Sequence, residues 1–258
     1  MAGAMMPRLL VRCAAVLLAV LAWHLASTMK FHFIVRFENV PTPVVVANAL
    51  GELLASSKFS VHILVSLQRI LIGFVAAALL GIPLGLLMGR SRIAEDIILP
   101  YIEILRPIPA VAWIPLAILL WPTEESSIVF ITFLGALFPI ILNTVHGVEQ
   151  TPEVLVRAAQ SLGARSASVF WLVVLPGALP SIVTGLAIGM GVAWFSLLAG
   201  EIISGQYGIG YFTWSSYTLV QYPQIIIGML VIGLLGTAST MLVRRSAQPF
   251  LRWQVKEK

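Results

Sequence analysis

Residues 64–88 read LVSLQRILIGFVAAALLGIPLGLLM, a run in which Arg69 is the one charge. A helix needs about 20 consecutive apolar residues to cross a bilayer, so this stretch is long enough to span. Gly81, Gly85 and Gly89 recur every fourth position at its end, on one helix face where a second helix can approach closely. The rest of the chain has the same character. Of 258 residues, 59% are hydrophobic and 10% charged, against about 45–50% and about 25% in soluble domains. With a mean hydropathy of +0.97, the chain lacks the polar residues to cover a globule, and a disordered or nucleic-acid-coating protein needs the reverse composition. The reading is an all-α polytopic membrane protein of about six transmembrane helices, with no sizeable soluble domain.

The other spans follow from the same pattern. Residues 13–27, behind Arg8 and Arg12, read as an anchor helix, with a cleaved leader as the alternative. Residues 29–61 carry Lys30, Arg36, Glu38, the turn Pro41-Thr42-Pro43 and Lys58, an extramembrane stretch with a short helix at 44–55. Arg90, Arg92, Glu95 and Asp96 are expected in a polar loop. The third apolar stretch, 104–121, contains Pro107, Pro109 and Pro115 and is followed by Pro122, so it is expected kinked or partly broken. Broken backbone at membrane depth must be buried in protein or line a cavity. Residues 128–145, 180–201 and 225–243 complete the set, and the Gly, Tyr and Ser content of 204–223 suits a surface loop.

Charge sets the orientation. Arg8, Arg12, Arg90, Arg92, Arg106, Arg157, Arg165, Arg244, Arg245, Arg252, Lys256 and Lys258 fall on the side of both termini, against Lys30, Arg36, Lys58 and Arg69 on the other. That asymmetry places both termini in the cytoplasm. The basic excess therefore reads as topology, and no basic cluster with interleaved aromatics points to nucleic acid. A single cysteine, Cys13, excludes an internal disulfide, and His24, His32, His62 and His146 show no ligand spacing, so a metal site is not expected.

One hydrophilic segment stands out. In Thr151-Pro-Glu-Val-Leu-Val-Arg-Ala-Ala-Gln-Ser-Leu-Gly163, Thr151 suits a cap, Pro152 the first turn, Glu153 the positive helix end and Gly163 the terminator. Val154, Leu155, Ala158, Ala159 and Leu162 share one face, while Glu153, Arg157, Gln160 and Ser161 fall elsewhere. Periodicity alone favours packing of that face on the protein's own spans or on lipid over docking into a groove of another protein.

Arg157-Ala-Ala-Gln-Ser-Leu-Gly163, followed by Leu175-Pro176-Gly-Ala-Leu-Pro180, resembles the "EAA" loop of type I ABC importer permeases. Ser66-Leu-Gln-Arg69, Gly81-Ile-Pro-Leu-Gly85, Leu105-Arg-Pro-Ile-Pro109, Ala112-Trp-Ile-Pro115 and Ala193-Trp194 ahead of Glu201 resemble its nitrate, sulfonate, taurine and bicarbonate branch. The likeness covers about residues 60 to 240 and differs at two points: Arg157 stands where the family has glutamate, and Gly177 where alanine is common. It implies the type I importer (MetI-like) permease fold, divided into an anchor and external segment (1–61), a permease core (62–245) with a coupling loop at 149–176, and a basic tail (246–258). It also implies that Glu153, Arg157, Ala158, Ala159, Ser161, Leu162, Gly163, Leu175 and Pro176 couple to a separate ATPase. Ala158, Ala159 and Gly163 would be the close-approach points, and Arg157 would face either an acidic patch or solvent. The implied partners are two ATPase copies carrying ATP and Mg, an external solute-binding protein, the bilayer and a second copy of this chain. No phosphate loop and no cofactor site are expected in this chain itself.

The candidate pore or gate residues are Arg69, Asn143, Ser196 and Glu201. An ionisable group inside a span is a functional candidate by default. Arg69 can attract an anion or snorkel to the interface, whereas Glu201 repels an anion and suits a structural or gating role bonded to loop amides. Trp113, Trp121 and Trp194 read as packing or interfacial residues. The competing class is a stand-alone secondary transporter, which needs coupling-ion sites and usually an internal repeat; neither is evident. An intramembrane enzyme needs a carboxylate pair, a serine–histidine dyad or a histidine cluster at membrane depth, and none has persuasive spacing.

Overall fold

The computed structural model describes residues 5–30 and 37–251, and all regular structure among them is helical. Arg36 and the tail charges Arg252, Lys256 and Lys258 lie outside the described residues. The helices are α1 (Met5–Thr28), α2 (Pro43–Ala55), α3 (Ser57–Arg90), α4 (Arg92–Leu105), α5 (Ile114–Leu120), α6 (Glu124–Glu149), α7 (Glu153–Ser161), α8 (Ser166–Val169), α9 (Leu175–Ser204), α10 (Ile209–Thr218) and α11 (Tyr222–Ala247). Five helical stretches among the described residues are long and apolar enough to cross a membrane: Leu10–Thr28, Ser57–Arg90, Glu124–Glu149, Ser166–Ile203 and Tyr222–Leu251. A sixth is the pair Arg92–Leu105 and Ala110–Leu120, bent by 85° where Pro107 and Pro109 interrupt the hydrogen-bond ladder.

The described residues form two compact units. In the smaller, built on residues up to 61 and 212–231, the Trp23 indole donates to the Pro41 carbonyl at 3.1 Å and Phe59 packs on Phe212. The larger, built on 62–211 and 232–251, is organised around α6. Gly73, Gly81, Gly85 and Gly89 of α3 lie against Thr132, Ile140, Thr144 and Val148 of α6, so the two helices run in the same direction in fixed register. A methyl group on Gly85 or Gly89 would sit 2.5 or 2.7 Å from a β-carbon of α6, closer than real side chains pack. The other side of α6 meets α9 in antiparallel order, Gly135 against Ser196, Gly185 against Asn143 and Gly147 against Ser181. Ile128, Ala136, Ile140, Ala193 and Leu197 are fully buried in this core.

Several boundaries differ from the sequence reading. Arg92, Glu95 and Asp96 are not in a loop: only Ser91 interrupts the helices, and its hydroxyl accepts the Ala94 N–H to cap α4. The span expected at 128–145 starts earlier, with Glu124 and Glu125 in the first turn of α6, because Thr123 and Ser126 form a reciprocal capping box. The fifth span is longer than 180–201, since Ser166–Ile203 is continuous. Pro176 has no N–H to give, and the chain takes a π-helical turn over Phe170–Val174 just ahead of it. The stretch 204–223 is not a surface loop. Gly208, Ile209 and Gly210 are buried, and Ile209–Thr218 is helical.

Candidate functional site

Two polar sites occupy opposite ends of α9. At its C-terminal end, Glu201 is fully buried. Its Oε1 accepts from the Ser66 hydroxyl at 2.7 Å and from the Arg69 guanidinium at 3.0 Å, and its Oε2 accepts the Gly210 N–H at 2.9 Å. Arg69, 2% exposed, also donates to the Tyr207 carbonyl at 2.7 Å and grips Glu125 with two nitrogens, Nε to Oε2 at 2.7 Å and Nη2 to Oε1. Ser66 Oγ accepts the Ile209 N–H at 2.9 Å, and His62 Nδ1 accepts the Gly208 N–H at 3.1 Å.

The amides that open α10 are thus satisfied by side chains from α3 and α9, where a helix start has orphan donors and favours a carboxylate. Gly208 makes this approach feasible: its φ is +113, and a side chain there would run into the Glu201 carboxylate. A cavity of about 430 Å³ lies beside the cluster, lined by Gln68, Arg69, Thr123 and Glu125.

At the other end, α7 bridges α6 to α8. Thr151 does not cap it, because its hydroxyl donates back to the Gly147 carbonyl at 3.3 Å, and Pro152 takes the cap position. The C-terminus is closed by a Schellman turn. Gly163, at φ +83, donates to Gln160 at 2.9 Å, and Ala164 donates to Ala159 at 3.0 Å. Val156 and Ala159 pack on Val148, Val169, Val174 and Ala178, whereas Val154 and Leu162 are 75% and 89% exposed. Ala159 therefore faces inward, away from the outward face of Val154, Leu155, Ala158 and Leu162. Arg157 pairs with Glu153 one turn earlier at 2.6 Å, and Ser161 Oγ donates to the Arg157 carbonyl at 3.0 Å. Leu175 and Pro176 open α9.

Residues 81–252 match the family described as "Binding-protein-dependent transport system inner membrane component". The chain belongs to this family, and it is a permease subunit of an ABC importer. The permease is 37% identical to the taurine transport system permease protein TauC of Escherichia coli, over 74% of its own length and 70% of that protein's. It is 35% identical to the nitrate import permease protein NrtB of Synechocystis, over 77% and 75%. The crystal structure of an amino acid ABC transporter with histidines shares its fold at a TM-score of 0.60 and 16% identity, covering 81% of the permease and 97% of that chain.

Among the candidate pore residues, the permease brings Arg69 and Glu201 together but not Asn143 or Ser196. Asn143 Nδ2 donates to the Pro139 carbonyl at 2.8 Å, and Ser196 Oγ to Val192 at 2.9 Å, both within their own helices. Arg69 is buried between two carboxylates, the buried Glu201 and the largely exposed Glu125. The tryptophans divide: Trp194 is buried and donates to Ser239 Oγ at 2.8 Å, while Trp121 leans on Phe130. Sequence reasoning named Ser66 only within a family motif and His62 only as a residue without ligand spacing, and it did not make them or Glu125 candidates. The spacing of His62, Ser66 and Arg69 at i, i+4 and i+7 along one face of an apolar helix was the available signal.

Proposed function

We propose that this permease, paired with a second copy of itself, moves a small oxyanion-bearing solute such as a sulfonate, taurine or nitrate into the cytoplasm. The energy comes from ATP hydrolysed on two separate ATPase subunits that grip α7, and the solute arrives from an external binding protein. The substrate class rests on the likeness to taurine and nitrate permeases.

The coupling reading rests on one observation. The inner side of α7 is anchored in the core by Val156 and Ala159, while Val154, Leu155 and Leu162 stand exposed on the outer side. A short helix held this way offers a helix-in-groove ligand and transmits a push to α6 and α9, between which it lies. Arg157 closes on Glu153, so it serves the helix surface and leaves the apolar residues to fill the ATPase groove.

Both termini are cytoplasmic in this reading. Arg69 is buried in the bundle and Arg106, though exposed, lines the cavity at the break of the third span, so both leave the tally of loop charges, but the remaining basic excess keeps its side. Arg69 and Glu201 hold the outer end of α9 to α3 and to the 205–210 turn, and do not touch solute. The chain contributes no catalytic residue and no cofactor.

The test is purification of the full-length permease in mild detergent. A phosphate-loop ATPase recovered at one copy per permease, and lost with L155E/L162E, is the expected result. A permease recovered alone that still drives uptake without ATP would overturn the reading in favour of a secondary transporter.

A further inference from the structure

The bend between α4 and α5 encloses a feature that neither polar site uses. A cavity of about 260 Å³ lies there, lined by Arg106, Pro109 and Trp113 from the bend, by Gly135 and Phe138 of α6, and by Ser196 of α9. Its floor is at mid-membrane depth. Gly135 and Phe138 flank the centre of the 26-residue α6, which at 1.5 Å per residue is about 39 Å long and overspans a hydrocarbon layer of about 30 Å. The lining is mainly apolar and aromatic, and Arg106 is its one charged member.

A cation at that depth is expensive unless it faces a partner or water. The Arg106 side chain has no hydrogen bond or ion pair among the described residues, in contrast to Arg69, which spends its donors on two carboxylates and a carbonyl. The second half of the broken span, Ala110–Leu120, starts at the same cavity, with Ala110 in the wall. Non-helical backbone at membrane depth is tolerated where it lines a cavity. A guanidinium presents a planar fork of N–H donors that matches the oxygens of a sulfonate, nitrate or carboxylate.

We propose that Arg106, at the break of the third span, binds the oxyanion group of the transported solute part-way across the membrane. This rests on the importer reading above and gives its pathway a specific contact: Arg106 takes the oxyanion, and Trp113 and Phe138 supply the apolar wall.

Two experiments separate the failure of this proposal from failure of that reading. In liposomes holding the permease with its ATPase and binding protein, uptake of radiolabelled taurine and isotope-labelled nitrate is compared for wild type, R106K and R106Q. R106Q is expected to assemble with the ATPase but lose about tenfold or more in maximal uptake, the size of one charge-assisted hydrogen bond, with part restored in R106K. Wild-type uptake by R106Q would overturn the proposal.

The second experiment needs no transport. In a C13S background, R106C is expected to react with the membrane-impermeant sulfonatoethyl methanethiosulfonate at least about tenfold faster than L79C, whose exposed apolar position lies mid-helix in α3. Labelling of R106C no faster than L79C would overturn the proposal, even if wild type proves not to be an ATP-driven importer.

Discussion

Two arginine–glutamate pairs mark the two ends of the α6–α9 core, and they are opposites. Arg69 and Glu201 have side chains 3% and 0% exposed, while Arg157 and Glu153 are 71% and 73% exposed. The buried pair draws on three segments distant in sequence and satisfies backbone amides besides; the exposed pair lies within one turn of one helix. Desolvated charges must be fully partnered, so every member of the first cluster depends on the others. A solvated i,i+4 pair adds a few tenths of a kcal/mol and leaves its helix free to be read by a partner. The lesson is that the same two residue types act as a staple where water is absent and as a wrapper where it is present.

The sharpest way to break this contrast is Arg69→Met, which leaves Glu201 buried without its cation. It is expected to cost about 3–5 kcal/mol and to abolish a monodisperse folded peak in fluorescence-detected size-exclusion melting. The double variant R69M/E201Q should recover much of that loss, and a single variant as stable as R157M would dissolve the distinction. Next is Gly208→Val, where a side chain meets the carboxylate in an unfavourable backbone region. A loss of about 1–3 kcal/mol is expected in the same assay, with no change in α7 function if protein is recovered.

At the exposed end the effect moves from stability to binding. Leu162→Glu should leave the melting curve in place and reduce ATPase recovery about tenfold; an unchanged yield would shift the contact to another face of the helix. The smallest effect is expected for Arg157→Ala, at most about 0.5 kcal/mol in stability. A large loss there would mean that Arg157 meets a charge on the partner.

The spans were legible because each is a long apolar run bounded by charge, and the broken third span because prolines punctuate it. The Gly81, Gly85 and Gly89 stripe announced a close helix contact, though its partner, α6, is invisible to local periodicity. The α7 terminator was readable from Gly163, whereas its start was not, since Thr151 bonds backwards into α6. The inward turn of Ala159 escaped because the apolar stripe of so short a helix does not say which half is covered. The polar cluster was read in part. Glu201 was singled out with loop amides as its partners, but Gly205, Gly208 and Gly210 looked like a solvated turn. Glycine content reports backbone permissiveness equally for a turn in water and for one folded over a buried carboxylate. Arg106, counted from sequence with the loop charges, lines the mid-depth cavity instead.

The glycine register between α3 and α6 has a mechanical corollary. Four glycine notches, at 73, 81, 85 and 89, seat α6 side chains against the α3 backbone, so sliding one helix along the other would meet steric clashes. Whatever rocking carries a solute across must be taken up elsewhere in the bundle. Between Leu105 and Ala110 two prolines already interrupt the helical ladder, so a change of angle there would cost fewer backbone hydrogen bonds than in an intact helix.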